Sequence, residues 1–200
     1  GATVEAANFV AHATADASVA PFPTIALVFG AAVGVVNTDA RVTLAGSVTT
    51  SGDLTVRSTA SNSANVVSRP SALGGTAIAA AVTVINSDSE AQVTDTAHLK
   101  VGNNLFVKGE TIDRNRTLAT AVSGLDGKIA LSFAVSVEDG NTHAFLDGRA
   151  DVTGNIQVDA SQKNEAIEDK IKIGYVPAAI ISAPQVVSGV KAYSGVGQSS

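Results

Sequence analysis

Oxygen-bearing side chains recur along this chain at a spacing that invites a metal. Asn37-Thr-Asp39, Asn86-Ser-Asp88-Ser-Glu90 and Glu138-Asp139-Gly-Asn141 occupy the same place in three successive segments. Carboxylate and amide oxygens are the ligands calcium takes. Asp39, Asp88, Glu90, Asp139 and Asn141 are therefore the candidate metal ligands, and Ca2+ is the one cofactor the sequence offers. The other reading, which the sequence favours, is that these are turn residues whose side chains bond their own backbone. A calcium roll would need Gly-Gly-x-Gly-x-Asp nonapeptides, and here Gly74-Gly75 stands alone.

Other reactive groups do not assemble into a constellation. His12, His98 and His143 share no metal-ligand spacing and fall on the polar phase of their strands, where an imidazole is ordinarily solvated. Serines are abundant, but no Gly-x-Ser-x-Gly elbow accompanies them. Hydrolysis of a glycosidic bond would need two carboxylates within about 5–10 Å. Asp147 with Asp151, or Asp159 with Glu165, are the pairs that could approach, on a stretch lacking the aromatic platform of a sugar groove. Thr43, Thr49, Thr50 and Thr55 do not return in later segments, which removes a threonine ladder of the ice-binding kind. The reading is no catalytic residue and no enzyme. Its rival is a β-helical polysaccharide lyase or hydrolase, or a carbohydrate-binding module.

The elements that would carry these residues follow from composition. Hydrophobic residues make up 45% of the chain but aromatic ones only 4%, so the apolar content is nearly all Ala, Val, Ile and Leu. Small and β-branched side chains suit stacked strands better than helices. Only 16% of residues are charged, against roughly 25% in globular domains, so hydroxyls and amides must carry much of the solubility. A net charge of −5 with scattered Lys and Arg argues against nucleic acid and against an anionic membrane as partner. The longest apolar run, residues 25–36, is too short to insert in a bilayer. Zero Cys leaves neither disulfides nor thiolate metal sites and fits a large exported protein. With no Met and no visible signal peptide, the chain reads as an excised piece.

Two landmarks recur. Ala40, Ala91, Ala144 and Ala192 follow similar Val-rich stretches at intervals of 91 − 40 = 51, 144 − 91 = 53 and 192 − 144 = 48 residues. Gly1, Gly52, Gly102 and Gly154 each open a short alternating segment, as in Gly52-Asp-Leu-Thr-Val and Gly154-Asn-Ile-Gln-Val. Gly-Asp and Gly-Asn are turn dipeptides because both residues tolerate positive φ. A period of about 50 residues divides the chain into a partial unit 1–23, units 24–70, 71–127 and 128–176, and a partial unit 177–200, cut within a unit at both ends.

Within a unit the side-chain period is two. Ile25, Leu27, Phe29, Val33 and Val35 alternate with Ala26, Gly30, Ala32 and Gly34, as in a strand that fills a core on one side. Val33, Val35, Val42, Leu54 and Val56 are expected to point inward, leaving the small residues outside. Pro21-Phe-Pro23, Pro70 and Gly124-Leu-Asp-Gly127 mark corners. Ser161–Ile173 is ambiguous and reads better as strand than as helix. Each unit then holds four or five short strands, and about 50 residues is comfortable for two turns of a parallel β-helix. About eight turns spaced 4.8 Å apart would give a rod on the order of 40 Å long. The expected fold class is all-β, a right-handed parallel β-helix (β-solenoid) with repeat units of about 50 residues.

The recurring pattern is a small-residue strand, Val-x-Val-x-Asn, Ala-aromatic or Ala-Val with glycine, then Gly-Asp/Asn, an apolar residue, any residue and Val. It resembles the repeats of very large secreted bacterial filamentous proteins, the leukotoxin-type and filamentous-haemagglutinin-like adhesins. Gly195 keeps the Ala-Tyr-x-Gly form, whereas the second unit has Asp95-Thr-Ala there. The resemblance implies a right-handed β-helical rod, export, and a location outside the cell or on its surface, with attachment to a surface or to other cells. It brings no catalytic residue. The expected partners are further repeats of the same chain or copies of itself, with surface glycans and other cells beyond them.

Overall fold

The computed structural model describes residues 3–19, 29–72, 77–123, 130–166 and 180–196. In chain order the strands are β1 Thr3–Ala6, β2 Phe9–Val19, β3 Phe29–Leu44, β4 Ser47–Thr50, β5 Leu54–Ser68, β6 Ser71–Ala72, β7 Ala77–Val93, β8 His98–Val101, β9 Leu105–Ala119, β10 Val122–Ser123, β11 Ala130–Leu146, β12 Arg149–Val152, β13 Ile156–Ala166 and β14 Ile180–Val196. The described residues are all-β, and every strand pairing among them is parallel. The small and β-branched composition accounts for this, since such side chains tile a pleated surface.

Three sheets have four strands each, ordered β1-β4-β8-β12, β2-β5-β9-β13 and β3-β7-β11-β14, and β6 pairs with β10 alone. Neighbours in a sheet come from successive fifty-residue segments: Leu54 lies beside Leu105 and Leu105 beside Ile156, each 51 residues on. The expectation of two turns per unit is not met. One unit advances the stack by one strand spacing, about 4.8 Å, because its two long strands, 15 to 17 residues in the second unit, take up most of the chain. The expectation of short strands fails for the same reason. Residues 161–166 belong to β13, as a strand reading requires; residues 167–173, Pro21–Pro23, Ile25, Ala26, Leu27, Gly74, Gly75 and Gly124–Gly127 lie outside the described residues.

Inward and outward phases differ from expectation in one sheet. Leu54 and Val56 are fully buried and Val42 packs against the same cluster, but Val33 and Val35 are 64% and 56% exposed. Ala32, Gly30 and Gly34 face inward instead. Val33 and Val42 have opposite parity, so they could share a face only if a turn at Asn37–Asp39 reset the phase. β3 runs through without interruption from Phe29 to Leu44. The space inside also forbids bulk there: a Cβ on Gly30 would lie 2.9 Å from Pro70 Cδ and Ser68 Oγ. Close approach of the two long sheets thus turns the valines out.

Three apolar clusters line the interior of the described residues, the smallest being Val36, Ala64 and Ile85. Near the corners, Val48, Leu54, Val56, Leu99, Leu105 and Val107 form a conventional apolar core closed by the short sheet. Each fully buried Leu or Val there contributes roughly 1.5–3 kcal/mol relative to exposure. Farther along, Val66, Ala77, Ala79, Ala81, Ala119 and Ala121 line a thinner gap.

The landmarks survive with shifts. Ala91 does pair with Ala144, but Ala40 pairs with Ser89 and Ala192 with Thr142, each two residues from the expected partner. The Gly1 segment was aligned with Gly52, whereas β1 pairs with β4, only 47 − 3 = 44 residues on, partly because β2 is shorter than β5. Positive φ does not explain Gly52, Gly102 or Gly154, since among the described glycines only Gly46 has it, and Gly1 lies outside the described residues. Gly102 is required by close stacking: a Cβ there would sit 2.3 Å from the Ser51 carbonyl oxygen.

Candidate functional site

Between the two long sheets lies a buried polar network. Thr38, Asn62, Ser87 and Asp113 come from β3, β5, β7 and β9, and each points into the gap because its strand alternates without a break. Asp113 Oδ1 accepts hydrogen bonds from Asn62 Nδ2 at 2.9 Å and Ser87 Oγ at 2.7 Å. Asn62 Nδ2 also reaches Ser87 Oγ at 2.5 Å, and Thr38 Oγ1 donates to Asn62 Oδ1. Asp113 is 1% exposed, so these donors replace the water lost by Oδ1, while the buried Oδ2 has no hydrogen-bond partner. One position along the same gap, Asn115 Nδ2 donates to Glu138 Oε1 at 2.9 Å and also bonds Ser136. Thr142 donates to Thr111 at 2.8 Å, and Ser58 and Ser89 are 2.9 Å apart.

On the outside, amides and carboxylates form ladders from one strand to the next. At the corner before the β2-β5-β9-β13 sheet, Asn8 Oδ1 accepts from the Asp53 amide at 2.9 Å, Asp53 Oδ1 from the Asn104 amide at 3.0 Å, and Asn104 Oδ1 from the Asn155 amide at 3.0 Å. Each side chain serves the backbone donor of the following unit. Ion pairs cross the same way: Arg41 with Glu90 at 3.1 Å, Arg57 with Glu110 at 2.5 Å, and Arg114 with Glu165 at 2.8 Å. The arginine side chains are 44% to 61% exposed, so each pair contributes under about 1 kcal/mol.

The five candidate calcium ligands lie within β3, β7 and β11 and not in turns. Continuous parallel pairing leaves Asp88 and Glu90 to work between strands, while Asp139 bonds the adjacent amide of its own strand. Asp88 Oδ1 accepts from the Asn141 amide at 3.0 Å and its Nδ2 at 3.2 Å, Glu90 is held by Arg41, and Asp139 Oδ1 accepts from the Gly140 amide at 3.0 Å. Asp39 is exposed beside Asp88. Among the described residues no three His, Cys, Asp or Glu side chains gather into a metal-binding group.

The carboxylate pairs are placed too. Asp159 and Glu165 sit six residues apart on β13, about 20 Å at the rise of a strand, too far to share a glycosidic bond. Asp151 is on β12, while Asp147 occupies the corner before it, its amide bonded to the Val93 carbonyl. A different pair, Glu110 and Asp159, lines one surface depression of about 330 Å³, together with Arg57 and Lys108. Glu110 is engaged there by Arg57, and Lys163 Nζ lies 3.9 Å away. His12 and His98 are exposed, whereas His143 is half-buried with its ring 5.3 Å from Phe145. Its neighbour two residues on is an aromatic, and on a strand that places the two rings side by side.

Asn62, Asp113 and Asn115 were not singled out by sequence reasoning, and Glu138 entered it only as part of an acidic turn. The available signal was parity: Asn62 and Asp113 are 51 residues apart and share phase with the buried Ala60 and Thr111. Comparison of the chain with protein-family models, curated proteins and solved structures finds no match. No helix among the described residues is long and apolar enough to cross a membrane.

Proposed function

We propose that the chain is a segment of a right-handed parallel β-helix, one coil per unit of about 51 residues, and that it serves as a structural or adhesive rod in a large bacterial protein exported to the cell surface or beyond. The observation that carries this reading is the pairing. Residues 24–70, 71–127 and 128–176 each give one strand to each four-stranded sheet, always in parallel and in the same order, except that the last sheet receives its fourth strand from residues 177–200. A chain that pairs only with segments about fifty residues away must return to one starting point after each unit, as stacked coils do. The hand follows from the right-handed crossover of parallel strands. Polar side chains are spent on coil-to-coil ladders, which suits a load-bearing stack whose partners are further units or copies of itself. The cysteine-free composition and the resemblance to filamentous adhesins support an extracellular setting, with surface glycans or other cells as what it holds.

The test couples attachment to chemistry. Beads coated with the chain are expected to be retained on glycan-bearing or cellular surfaces over uncoated beads, while incubation with complex polysaccharides releases no reducing ends. The shared depression of Glu110 and Asp159 favours a second reading, a polysaccharide hydrolase. Release of reducing ends that disappears in Glu110→Gln or Asp159→Asn would establish it in place of the rod.

A further inference from the structure

Over β3, β7 and β11 the outer face of the four-stranded sheet is divided along the strands. Its first half is apolar: the rows Val33-Val82-Val135 and Val35-Val84-Val137 run across the three strands in register. Phe29 and Phe133 extend it toward the strand beginnings, both more than half exposed. Its second half is hydrophilic, led by the row Asp39-Asp88-Asn141. Three strands about 4.8 Å apart and four alternate positions about 6.6 Å apart give an apolar area on the order of 380 Å². Contiguous patches of that size on a soluble chain mark an interaction surface.

We propose that this face is a docking surface for a second copy of the same chain, laid face to face with its strands antiparallel. A flat array of apolar side chains at strand spacing is matched by another such array, and the chain carries one. The charges favour this occupant. A twofold axis in the interface, parallel to the stacking direction and centred on the patch, lays the Val33-Val82-Val135 row on the partner copy's Ala31-Ala80-Phe133 row and the Val35-Val84-Val137 row on its Phe29-Ile78-Leu131 row. It carries each row of Asp39, Asp88 and Asn141 past the partner's Phe29 end and away from the partner's own acids. The contact is isologous and closes at two. At about 380 Å² per copy it falls below the roughly 800 Å² per partner of a stable complex, so the dimer exchanges rapidly. The β-helix reading adds one consequence: each further coil extends the patch by about 125 Å² per copy, so about three or four more would reach a stable interface.

The chain has no cysteine, which allows a clean test. Val82→Cys lies close to the twofold axis, and Ser63→Cys, on the outer face of β5, is the control. Oxidation of the full chain is expected to give disulfide-linked dimer for Val82→Cys at least about tenfold faster than for Ser63→Cys, by proximity. Adding Val33→Thr and Val135→Thr, which preserve shape and strand preference, abolishes the difference while leaving the far-ultraviolet circular dichroism unchanged. In small-angle scattering the linked dimer is thicker in cross-section and no longer than the monomer. Equal rates for the two cysteines would overturn the proposal. So would a Val82→Cys thiol that is protected in the monomer, or cosedimentation of the chain with phosphatidylcholine vesicles that the threonine variants lose. A monomer whose scattering or dichroism does not fit stacked strands would instead sink the β-helix reading, separately from the docking surface.

Discussion

Exchanging bulk between the two faces of the long sheet tests the orientation of its strands. Val33 is 64% exposed, so Val33→Ala removes two carbons of which about a third of the surface is hidden. At about 0.8 kcal/mol per buried methylene that is about 0.6 kcal/mol, with a few tenths more for lost strand preference. Ala81 is fully buried among Ala77, Ala79 and Val66. Ala81→Leu forces three carbons into that gap and should cost about 1–3 kcal/mol or more through overpacking. Leu105→Ala, in the corner core, sets the scale at about 2–5 kcal/mol. Urea unfolding followed by far-ultraviolet circular dichroism gives all three values, provided the slope with denaturant stays constant. The expected order is Val33→Ala least, with Ala81→Leu and Leu105→Ala both well above it. A Val33→Ala variant destabilised by more than about 2 kcal/mol, together with a neutral Ala81→Leu, would mean that the valines face inward after all.

Four further outcomes follow from the polar contacts. Asp113→Ala leaves the donors of Asn62 and Ser87 unmet in a dry gap and should cost about 2–4 kcal/mol by urea unfolding. Asp113→Asn keeps an acceptor without a buried charge and should cost under about 1 kcal/mol. Asp53→Ala removes the acceptor of the Asn104 amide and should cost about 1 kcal/mol, with hydrogen exchange at Asn104 accelerating before that of Leu105. A double-mutant cycle on Arg57→Ala and Glu110→Ala should yield a coupling below about 1 kcal/mol that shrinks in high salt, because the arginine side chain is 44% exposed.

The strand content, the parallel pairing and the fifty-residue offset were legible because they rest on signals that do not depend on which face is buried. Alternation of apolar and small residues identifies β3, β7 and β11 whichever side holds the bulk. It does not say which side is inside when both are apolar, and there Val33 and Val35 were misplaced. The gap width decides, and it is set by Ser68, at the end of the facing sheet, and Pro70, just beyond it, about forty positions away in the chain. The acidic residues of β3, β7 and β11 were assigned to turns because isolated Asn and Asp favour them. Stacking supplies an alternative that no single unit contains, the backbone amide of the next strand. Asn62 and Asp113 were hidden for a related reason: a Ser- and Asn-rich strand looks solvent-facing until its parity is compared with Leu54 and Val56.

The buried polar network answers a problem that the composition creates. Alanine and valine columns are nearly interchangeable, and a slip of two residues between neighbouring strands preserves which face is inward. The alanine landmarks show how little such a slip disturbs the pattern, since Ala40 and Ala192 each lie two positions from the partner their surroundings suggest. Apolar burial alone would therefore leave several registers close in free energy. A two-residue slip between β5 and β9 would carry Asp113 from beside Asn62 to a position beside Ala60 or Ala64, both fully buried. A carboxylate stripped of water and of its donors costs several kcal/mol. The corner ladder Asn8-Asp53-Asn104-Asn155 applies the same constraint from outside, because each side chain reaches only the amide of the unit directly above. Asn62, Asp113, Asn115 and Glu138 thus cost stability relative to an apolar filling and return it as a single register.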